Sequence, residues 1–293
     1  MQLQKVAVLG VGLLGGSIGL ALKHRRAARE VHGFVRRAAA VAECESLGVV
    51  DHASTNLWQC VRDADFVILC TPIAQMAELA LRMLPDLKPG AVVTDVGSVK
   101  APVVKALEPL VASVGAHFIG SHPMAGGEKM GASEAKENLF ERAICIVTPS
   151  ASANQAATEQ VEKFWQAVGG RSVRLTPEAH DELVGRSSHL PHVVAAALAN
   201  YVLNPKHAQE QSLVCATGFR DTTRIASGSP EMWRDIALAN RDNLAHSLGA
   251  LIEDLREFQL ALEAGNAETI TRFFESGKLR RDHWLGNGGS SPE

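Results

Sequence analysis

The chain has 293 residues, of which 46% are hydrophobic and 21% charged, a composition typical of a soluble globular protein with about two domains. Its net charge of -3 excludes recruitment of nucleic acid or an anionic membrane by an overall positive field. The five cysteines are scattered without CxxC or CxxH spacing, which argues against a disulfide framework and a metal site. No signal peptide or membrane-spanning segment is predicted, so we expect a cytoplasmic protein that binds neither nucleic acid nor membrane.

The first half of the chain alternates short apolar strands with helices. The predicted strands cover residues 5–9, 31–34, 65–70, 91–96, 117–119, 143–147 and 172–175. The helices predicted between them include residues 13–23, 38–47, 74–84 and 154–168. Strands such as FVILC at 66–70 are continuously apolar, as expected for a parallel sheet that is covered on both faces.

After Pro177 the pattern becomes helical. Helices are predicted at 178–188, 191–203, around 209–217, at 231–264 and at 267–279. We therefore expect an α/β fold in which an N-terminal Rossmann-type, doubly wound sheet precedes an all-helical C-terminal domain. The predicted boundaries are residues 1–176, residues 177–285, and a disordered Gly/Ser-rich tail at 286–293.

A dinucleotide motif lies near the N-terminus. Gly10, Gly12 and Gly15 form G-x-G-x-x-G directly after a strand and before a helix, with Leu13 and Leu14 between the last two glycines. This context predicts a tight turn whose main chain approaches a pyrophosphate at the helix N-terminus. The alternative is a glycine-rich turn with a purely structural role.

The end of the second strand bears on the choice of cofactor. An acid that binds the adenine ribose is expected there, but the chain has Val35, followed by Arg36 and Arg37. A guanidinium can bind a 2′-phosphate, which favours NADP over NAD, although NAD remains possible. Alternatively, the two arginines are solvated surface charges.

Two later loops are predicted to line the same crevice, because ligands of open α/β sheets bind beyond the carboxyl ends of the strands. The candidate cofactor contacts in these loops are Cys70, Thr71, Pro72, Asp95 and Gly97. Asp95 could equally cap the helix that follows it.

Three histidines and an arginine are further candidates. His122 lies in a predicted glycine-rich loop, GSHPMAGGEKMG at 120–131, which suits a catalytic base, although an isolated loop histidine is more often without function. His189 and His192 share one face at a helix start and suit core positions better than a metal site. Arg224 either binds a substrate carboxylate or pairs with a nearby aspartate, Asp221 or Asp235.

Taken together, the motifs resemble one family. GVGLLGGS at 10–17, TDVGSVK at 94–100, GSHPMAGGEKMG, SHLPH at 188–192 and GFRDTTRIASGSPEMWRDI at 218–236 are similar to the prephenate/arogenate (cyclohexadienyl) dehydrogenases of tyrosine biosynthesis. The resemblance implies NAD(P)-dependent oxidative decarboxylation of prephenate or arogenate, with hydride transfer from ring C4 to the nicotinamide. It also implies a homodimer formed through the helical domain and a small anionic substrate.

The resemblance also implies residue roles. His122 corresponds to the catalytic base, and Ser98 to the residue that orients it and the substrate hydroxyl. The implied substrate-binding residues are Arg224, His189, His192, Asp221, Trp233 and Gly127. Some relatives have a hydroxyl residue where this chain has Gly127, which leaves the choice between prephenate and arogenate open.

Two other interpretations fit parts of the sequence. A β-hydroxyacid dehydrogenase shares the architecture but is expected to use a lysine-centred motif, and we find none in the helical half. A non-catalytic module that senses NADP would need the glycine motif but not His122, Ser98 and Arg224 together.

Overall fold

The structure is a computed structural model that describes residues 2–127, 129–204, 206 and 210–286. The chain divides into two compact units, the first ending at Asn240 and the second beginning at Arg241. Of the predicted disordered tail, residues 287–293 lie outside the described residues.

A parallel sheet forms the centre of the first unit. Its strands are β1 (Leu3–Leu9), β2 (Ala28–Phe34), β3 (His52–Ser54), β4 (Phe66–Leu69), β5 (Val92–Asp95) and β6 (His117–Phe118). The strand order is β3-β2-β1-β4-β5-β6, and every adjacent pair is parallel. The order grows outward from β1 in both directions, as in doubly wound dinucleotide-binding folds. The predicted fold class is therefore confirmed.

Helices cover both faces of this sheet. They are α1 (Leu13–His24), α2 (Ala39–Ser46), α3 (Leu57–Val61), α4 (Ile73–Met83) and α5 (Ala101–Ala112), with a 3-10 turn at Leu84–Asp86. In β1, Val6 and Val8 enter the core on one face, whereas Ala7 and Leu9 enter the core on the other. All four are completely buried, because successive strand side chains alternate and neither face is open to water.

A second, smaller sheet follows. It contains β7 (Gly120–Pro123), β8 (Ile144–Thr148) and β9 (Arg171–Arg174), with a 3-10 turn at Ala132–Glu134 and helix α6 (Gln155–Ala167) between strands. β7 is antiparallel to β8, and β8 is parallel to β9. His122, predicted in a loop, instead lies in β7 opposite Ile146. The segment is buried, so its main-chain groups need partners, which β8 supplies.

The rest of the first unit is helical. It contains α7 (Pro177–Val184), a π-helical turn at Gly185–His189, α8 (Leu190–Val202), α9 (Glu210–Leu213), α10 (Thr217–Thr223), a 3-10 turn at Arg224–Ser227 and α11 (Pro230–Ala239). Among the described residues after Pro177 there is no strand, as predicted. Within the same residues, no helix is both long enough and apolar enough to cross a bilayer.

The second unit consists of α12 (Arg241–Glu263) and α13 (Ala267–Gly286), the latter continuing past its predicted end at residue 279. The prediction of a single helix over 231–264 is wrong, because Asn240 has non-helical backbone angles (φ -114°, ψ 30°). Its side chain donates hydrogen bonds to the Asp181 carbonyl (2.8 Å) and to His189 Nδ1 (3.1 Å). These two tertiary contacts interrupt a segment whose local pattern is helical.

Candidate active site

The glycine motif forms the turn from β1 to α1. Gly10 has a φ of +104°, and a Cβ on it would stand 2.8 Å from the Cys70 carbonyl oxygen at the end of β4. A Cβ on Gly15 would stand 2.1 Å from the Gly10 carbonyl oxygen, so only glycine lets α1 pack this closely. At Gly12, by contrast, a Cβ would meet open space. The turn therefore leaves its middle glycine accessible to a ligand.

The first turn of α1 suits a phosphate. No side chain caps it and no acidic residue lies in it, so the main-chain N–H groups around Leu13 and Leu14 have no side-chain acceptor. Beside Gly10, the hydroxyl oxygen of Thr71 is buried and has no hydrogen-bond partner among the described residues. Free N–H groups, a helix dipole and an unpartnered buried hydroxyl together fit the diphosphate of a dinucleotide.

The residues that follow β2 and β4 lie at the same end of the sheet as the glycine turn that follows β1. Val35 is buried (6% exposed), whereas Arg36 and Arg37 are exposed, and no ion pair involves either arginine among the described residues. Pro72 is exposed and precedes α4. Burial raises the pKa of the Cys70 thiol, with a smaller contribution from Asp95, so this thiol is neutral. It can contact a ligand only as a weak polar group.

The carboxylate of Asp95 has a different role from the predicted cofactor contact. It is completely buried, accepts hydrogen bonds from the main-chain N–H groups of Gly97 (2.8 Å) and Ser121 (3.1 Å), and pairs with the Lys100 ammonium. Lys100 Nζ also donates to the Ser121 carbonyl (2.8 Å). Both carboxylate oxygens are thus engaged within the protein, and this cluster fastens the end of β5 to β7 beside His122.

His122 is the centre of the candidate site. Its side chain is 8% exposed, and its Nδ1 lies 2.9 Å from Nε2 of His180. Burial lowers the pKa of His122 well below its ordinary value, and the neighbouring side chains of His180, Lys100 and His189 lower it further. The ring is therefore neutral at physiological pH. Its Nε2 makes no hydrogen bond with the described residues and can act as an acceptor.

Behind His122 lies a buried His–Asp pair in the middle of α7. His180 is completely buried, and its Nδ1 lies 2.8 Å from Oδ1 of Asp181. Burial lowers the pKa of His180, although Asp181 partly opposes this effect. Asp181 also accepts hydrogen bonds from the main-chain N–H groups of Lys100 (2.7 Å) and Ala101 (2.8 Å) at the start of α5.

His189 presents an unpartnered donor. Because the Asp181 carbonyl can only accept, the Asn240 nitrogen that lies 2.8 Å from it is the amino nitrogen. The same nitrogen donates to His189 Nδ1, so the proton of this neutral ring is on Nε2. His189 is 1% exposed, burial lowers its pKa to about 4, and Nε2 has no partner among the described residues. A buried N–H without a partner fits contact with a ligand oxygen.

The π-helical turn and α8 bring His192 against Trp233. The two rings stack with centroids 3.7 Å apart, and His192 Nδ1 donates to the Ser188 carbonyl (2.9 Å). Burial lowers the pKa of His192, and the charge of Arg224 contributes to this. Arg224 is exposed and borders an open cavity of about 430 Å³. Asp235, one predicted partner of Arg224, forms an ion pair with Arg234 (2.7 Å).

The remaining predicted residues are dispersed around this cluster. Ser98 is half-buried between β5 and α5, and its main chain lies next to the His189 ring. Gly127 is exposed, and a Cβ on it would stand 3.3 Å from a methyl group of Leu13. The segment after His122 therefore passes close to the glycine motif. Asp221 is exposed on α10, and no contact between it and the histidines is observed in the described part of the chain.

Four buried polar residues were not identified from the sequence as part of this site: His180, Asp181, Lys100 and Asn240. Lys100 lies within the motif TDVGSVK, and the adjacent His180 and Asp181 lie in the first helix after Pro177. In the sequence, the adjacent histidine and aspartate near the start of the helical half could have indicated that this pair belongs to the site.

Two family models match consecutive parts of the chain. The family model described as "Prephenate dehydrogenase, nucleotide-binding domain" matches residues 18–174, and the one described as "Prephenate dehydrogenase, dimerization domain" matches residues 176–276. A prephenate dehydrogenase of Bacillus subtilis is 36% identical over 94% of this chain and 75% of its own length. A cyclohexadienyl dehydrogenase of Zymomonas mobilis is 31% identical over 95% of this chain and 97% of its own length.

Solved structures are similar over the same extent. A prephenate dehydrogenase from Aquifex aeolicus, in complex with hydroxyphenyl propionate and NAD+, has a TM-score of 0.89 and 31% identity over 96% of this chain and 98% of its own. A Synechocystis arogenate dehydrogenase has a TM-score of 0.81 and 30% identity over 96% of this chain and 100% of its own. A 3-hydroxyisobutyrate dehydrogenase of Mycobacterium tuberculosis, at a TM-score of 0.54 and 15% identity, shares the fold alone.

The family models together span most of the chain, and the relatives match it almost from end to end. The chain therefore belongs to the prephenate dehydrogenase family.

Proposed function

We propose that the protein catalyses the NAD(P)-dependent oxidative decarboxylation of prephenate, arogenate or both, to 4-hydroxyphenylpyruvate or tyrosine. One observation carries the proposal. The buried, neutral ring of His122 has one nitrogen bonded to His180 and the other without a partner among the described residues, and the segment after it passes close to the glycine motif at Gly127 and Leu13. A base is thereby held next to the site that fits a dinucleotide.

The chain's own residues provide proton transfer and orientation. His122 Nε2 accepts the proton of the substrate's C4 hydroxyl, and Ser98 orients that hydroxyl. A histidine base contributes typically about 10²–10⁴ in rate, and a neutral ring is ready to accept a proton at physiological pH.

The reaction balances without a further reactant. A dinucleotide whose diphosphate the glycine turn would hold would supply a nicotinamide as the hydride acceptor. As the C4 hydrogen leaves with its electron pair, the hydroxyl proton passes to His122 and a carbonyl forms at C4. The bond from C1 to the carboxylate then breaks, carbon dioxide leaves, and the released electron pair makes the ring aromatic. The phenolate oxygen takes the proton back from His122.

Polar groups of the helical half bind the anionic substrate. Arg224 provides a positive charge for a carboxylate, and the unpartnered Nε2–H of His189 can donate to a second substrate oxygen. His192 and Trp233, stacked on each other, form an aromatic wall beside His189. Two charged or polar donors next to an aromatic surface suit a ring that carries a carboxylate.

We assign NADP as the preferred nucleotide, with NAD as the alternative. Val35 is buried where an acid would otherwise bind the ribose, and Arg36 and Arg37 are exposed beyond it. A guanidinium is suited to bidentate contact with a 2′-phosphate, whereas a carboxylate would repel one. The Aquifex aeolicus relative was solved with NAD+, so both nucleotides belong in the test.

The protein is further assigned as a homodimer that assembles through its helical domain. The match to the dimerization model supports this, as do the exposed large apolar side chains of α12 and α13, which include Ile252, Leu255, Phe274, Leu279 and Trp284. The two family models change over between residues 174 and 176, which supports a nucleotide-binding domain at 1–176 and a helical domain at 177–285. A monomeric mass in dilute solution would overturn the dimer.

The test of the reaction is absorbance of the reduced nicotinamide in four assays that combine prephenate or arogenate with NADP or NAD. Turnover in any of them supports the reaction, and the pattern determines both specificities. Faster turnover with NAD would overturn the role assigned to Arg36 and Arg37. No turnover in all four assays, with folded protein that still binds NADP, would overturn the reaction and favour a nucleotide-sensing module.

A further inference from the structure

A continuous line of hydrogen bonds joins Asp181, His180 and His122. The Asp181–His180 contact is 2.8 Å and the His180–His122 contact is 2.9 Å. The three residues are 3%, 0% and 8% exposed, so water does not compete for these contacts. Each histidine nitrogen in the line can be assigned as donor or acceptor from what its partner is able to do.

The two carboxylate oxygens of Asp181 accept hydrogen bonds from the main-chain N–H groups of Lys100 and Ala101. Main-chain N–H groups only donate, so both oxygens are acceptors, and the start of α5 further favours the ionised carboxylate. His180 Nδ1, which faces Oδ1 of this carboxylate, is therefore the donor.

A neutral histidine carries one N–H, so His180 Nε2 is an acceptor. The nitrogen that faces it is His122 Nδ1, which must then be the donor. The same rule, applied to His122, leaves its Nε2 without a hydrogen and with a free lone pair. The hydrogen bond that one ring nitrogen makes thus determines whether the other nitrogen carries a hydrogen.

We propose that His180, itself held by Asp181, is a positioning residue that keeps the proton of His122 on Nδ1, so that Nε2 is the acceptor for the substrate. The proposal rests on the role of His122 as the base in the proposed function. Without His180, a proton on His122 Nδ1 would be buried without an acceptor, so the proton would occupy Nε2 instead, and molecules with Nε2–H could not accept the substrate proton.

Two substitutions at residue 180 separate this role from packing. His180→Leu fills the space but removes the acceptor, whereas the amide oxygen of His180→Gln can reach the position of Nε2 and still accept from His122. Removing the hydrogen bond that holds the His122 proton on Nδ1 cannot lower the rate by more than removing the base itself, which costs about 10²–10⁴ in rate. We expect His180→Leu to lower kcat about 100-fold with little change in KM, and His180→Gln to retain kcat within about tenfold.

A matched control is available outside the site. His32 in β2 is partly buried and contacts the carboxylate of Glu30 (3.2 Å), so His32→Leu also removes a histidine–carboxylate pair. This variant should keep the kcat of the wild type. A kcat for His180→Leu within about threefold of wild type, or equal losses in the Leu and Gln variants, would overturn the proposal.

A second measurement does not depend on turnover. In protein labelled with ¹⁵N at histidine, with the His122 signals assigned by their absence in His122→Asn, the wild type should show a protonated Nδ1 and an unprotonated Nε2. A proton on Nε2 would overturn the assignment. If the wild type turns over neither prephenate nor arogenate, the proposed function fails, and comparison of this spectrum with that of His180→Leu decides whether His180 fixes the tautomer.

Discussion

Acid should destabilise the protein through the buried ring of His189. Burial lowers the pKa of this ring from 6.5 to about 4. Below pH 6.5 the unfolded chain therefore binds a proton that the folded chain does not bind until the pH is near 4. The stabilisation contributed by the neutral ring is fully present above pH 6.5 and is lost as the pH falls toward 4.

The size of this loss follows from the two pKa values. At about pH 5 the unfolded ring is almost fully protonated and the folded ring almost fully neutral, so the free energy of unfolding should fall by about 2 kcal/mol relative to pH 8. Below pH 4 the loss from this residue should reach about 3 kcal/mol. His122 and His180 also have lowered pKa values and act in the same direction, so the whole protein should lose more than this.

The assay is urea unfolding, followed by tryptophan fluorescence, at about pH 8 and about pH 5. His189→Gln replaces the ring with a neutral amide, so its acid-induced loss should be about 2 kcal/mol smaller than that of the wild type. His24→Gln is the control, because the His24 side chain is 63% exposed. If His189→Gln and the wild type lose the same free energy on acidification, burial does not hold His189 neutral and the reasoning fails.

Four substitutions test the remaining assignments. Arg224→Ala should raise KM for the anionic substrate about 10–100-fold in steady-state assays, because one charged hydrogen bond is lost, and should leave KM for the nucleotide nearly unchanged. Arg36→Ala should weaken NADP to a similar extent in binding titrations and leave NAD unaffected; equal weakening of both would contradict its assigned role. Gly15→Ala places a Cβ 2.1 Å from the Gly10 carbonyl, so the urea midpoint should fall by the equivalent of about 1–3 kcal/mol. His122→Asn should keep nucleotide affinity and lose about 10²–10⁴ in kcat, whereas unchanged turnover would exclude it as the base.

The elements that the sequence predicts well are those whose signal is local. The apolar run of β1 and the glycines after it need only their own neighbours to define a strand, a turn and a helix start. The break at Asn240 is different, because it depends on hydrogen bonds to Asp181 and His189, which lie more than 50 residues away in the chain. A helical pattern over 231–264 contains no sign of those partners.

In the candidate site, too, features with a local motif could be predicted from the sequence, whereas features that depend on distant contacts could not. His122 could be identified as a candidate from its motif, but its place in β7 depends on pairing with β8, which the local sequence does not specify. The contact between His122 and His180 joins residues 58 positions apart. Asp95 was expected to contact a ligand, but its carboxylate pairs with Lys100. The sequence could not predict this pair, because it does not show that both side chains are buried together.

The π-helical turn at Gly185–His189 makes the spacing of the site sensitive to chain length. Deleting one residue from this turn would let α7 and α8 join as a regular α-helix, in which each residue advances the rotation by about 100°. The rings of His189 and His192 would then turn away from Asn240 and Trp233, although the helix itself would be intact. Substitutions at the exposed positions 186 and 187 preserve the length and should be tolerated. Insertions and deletions in this short segment should be far more damaging to the enzyme than changes of residue type.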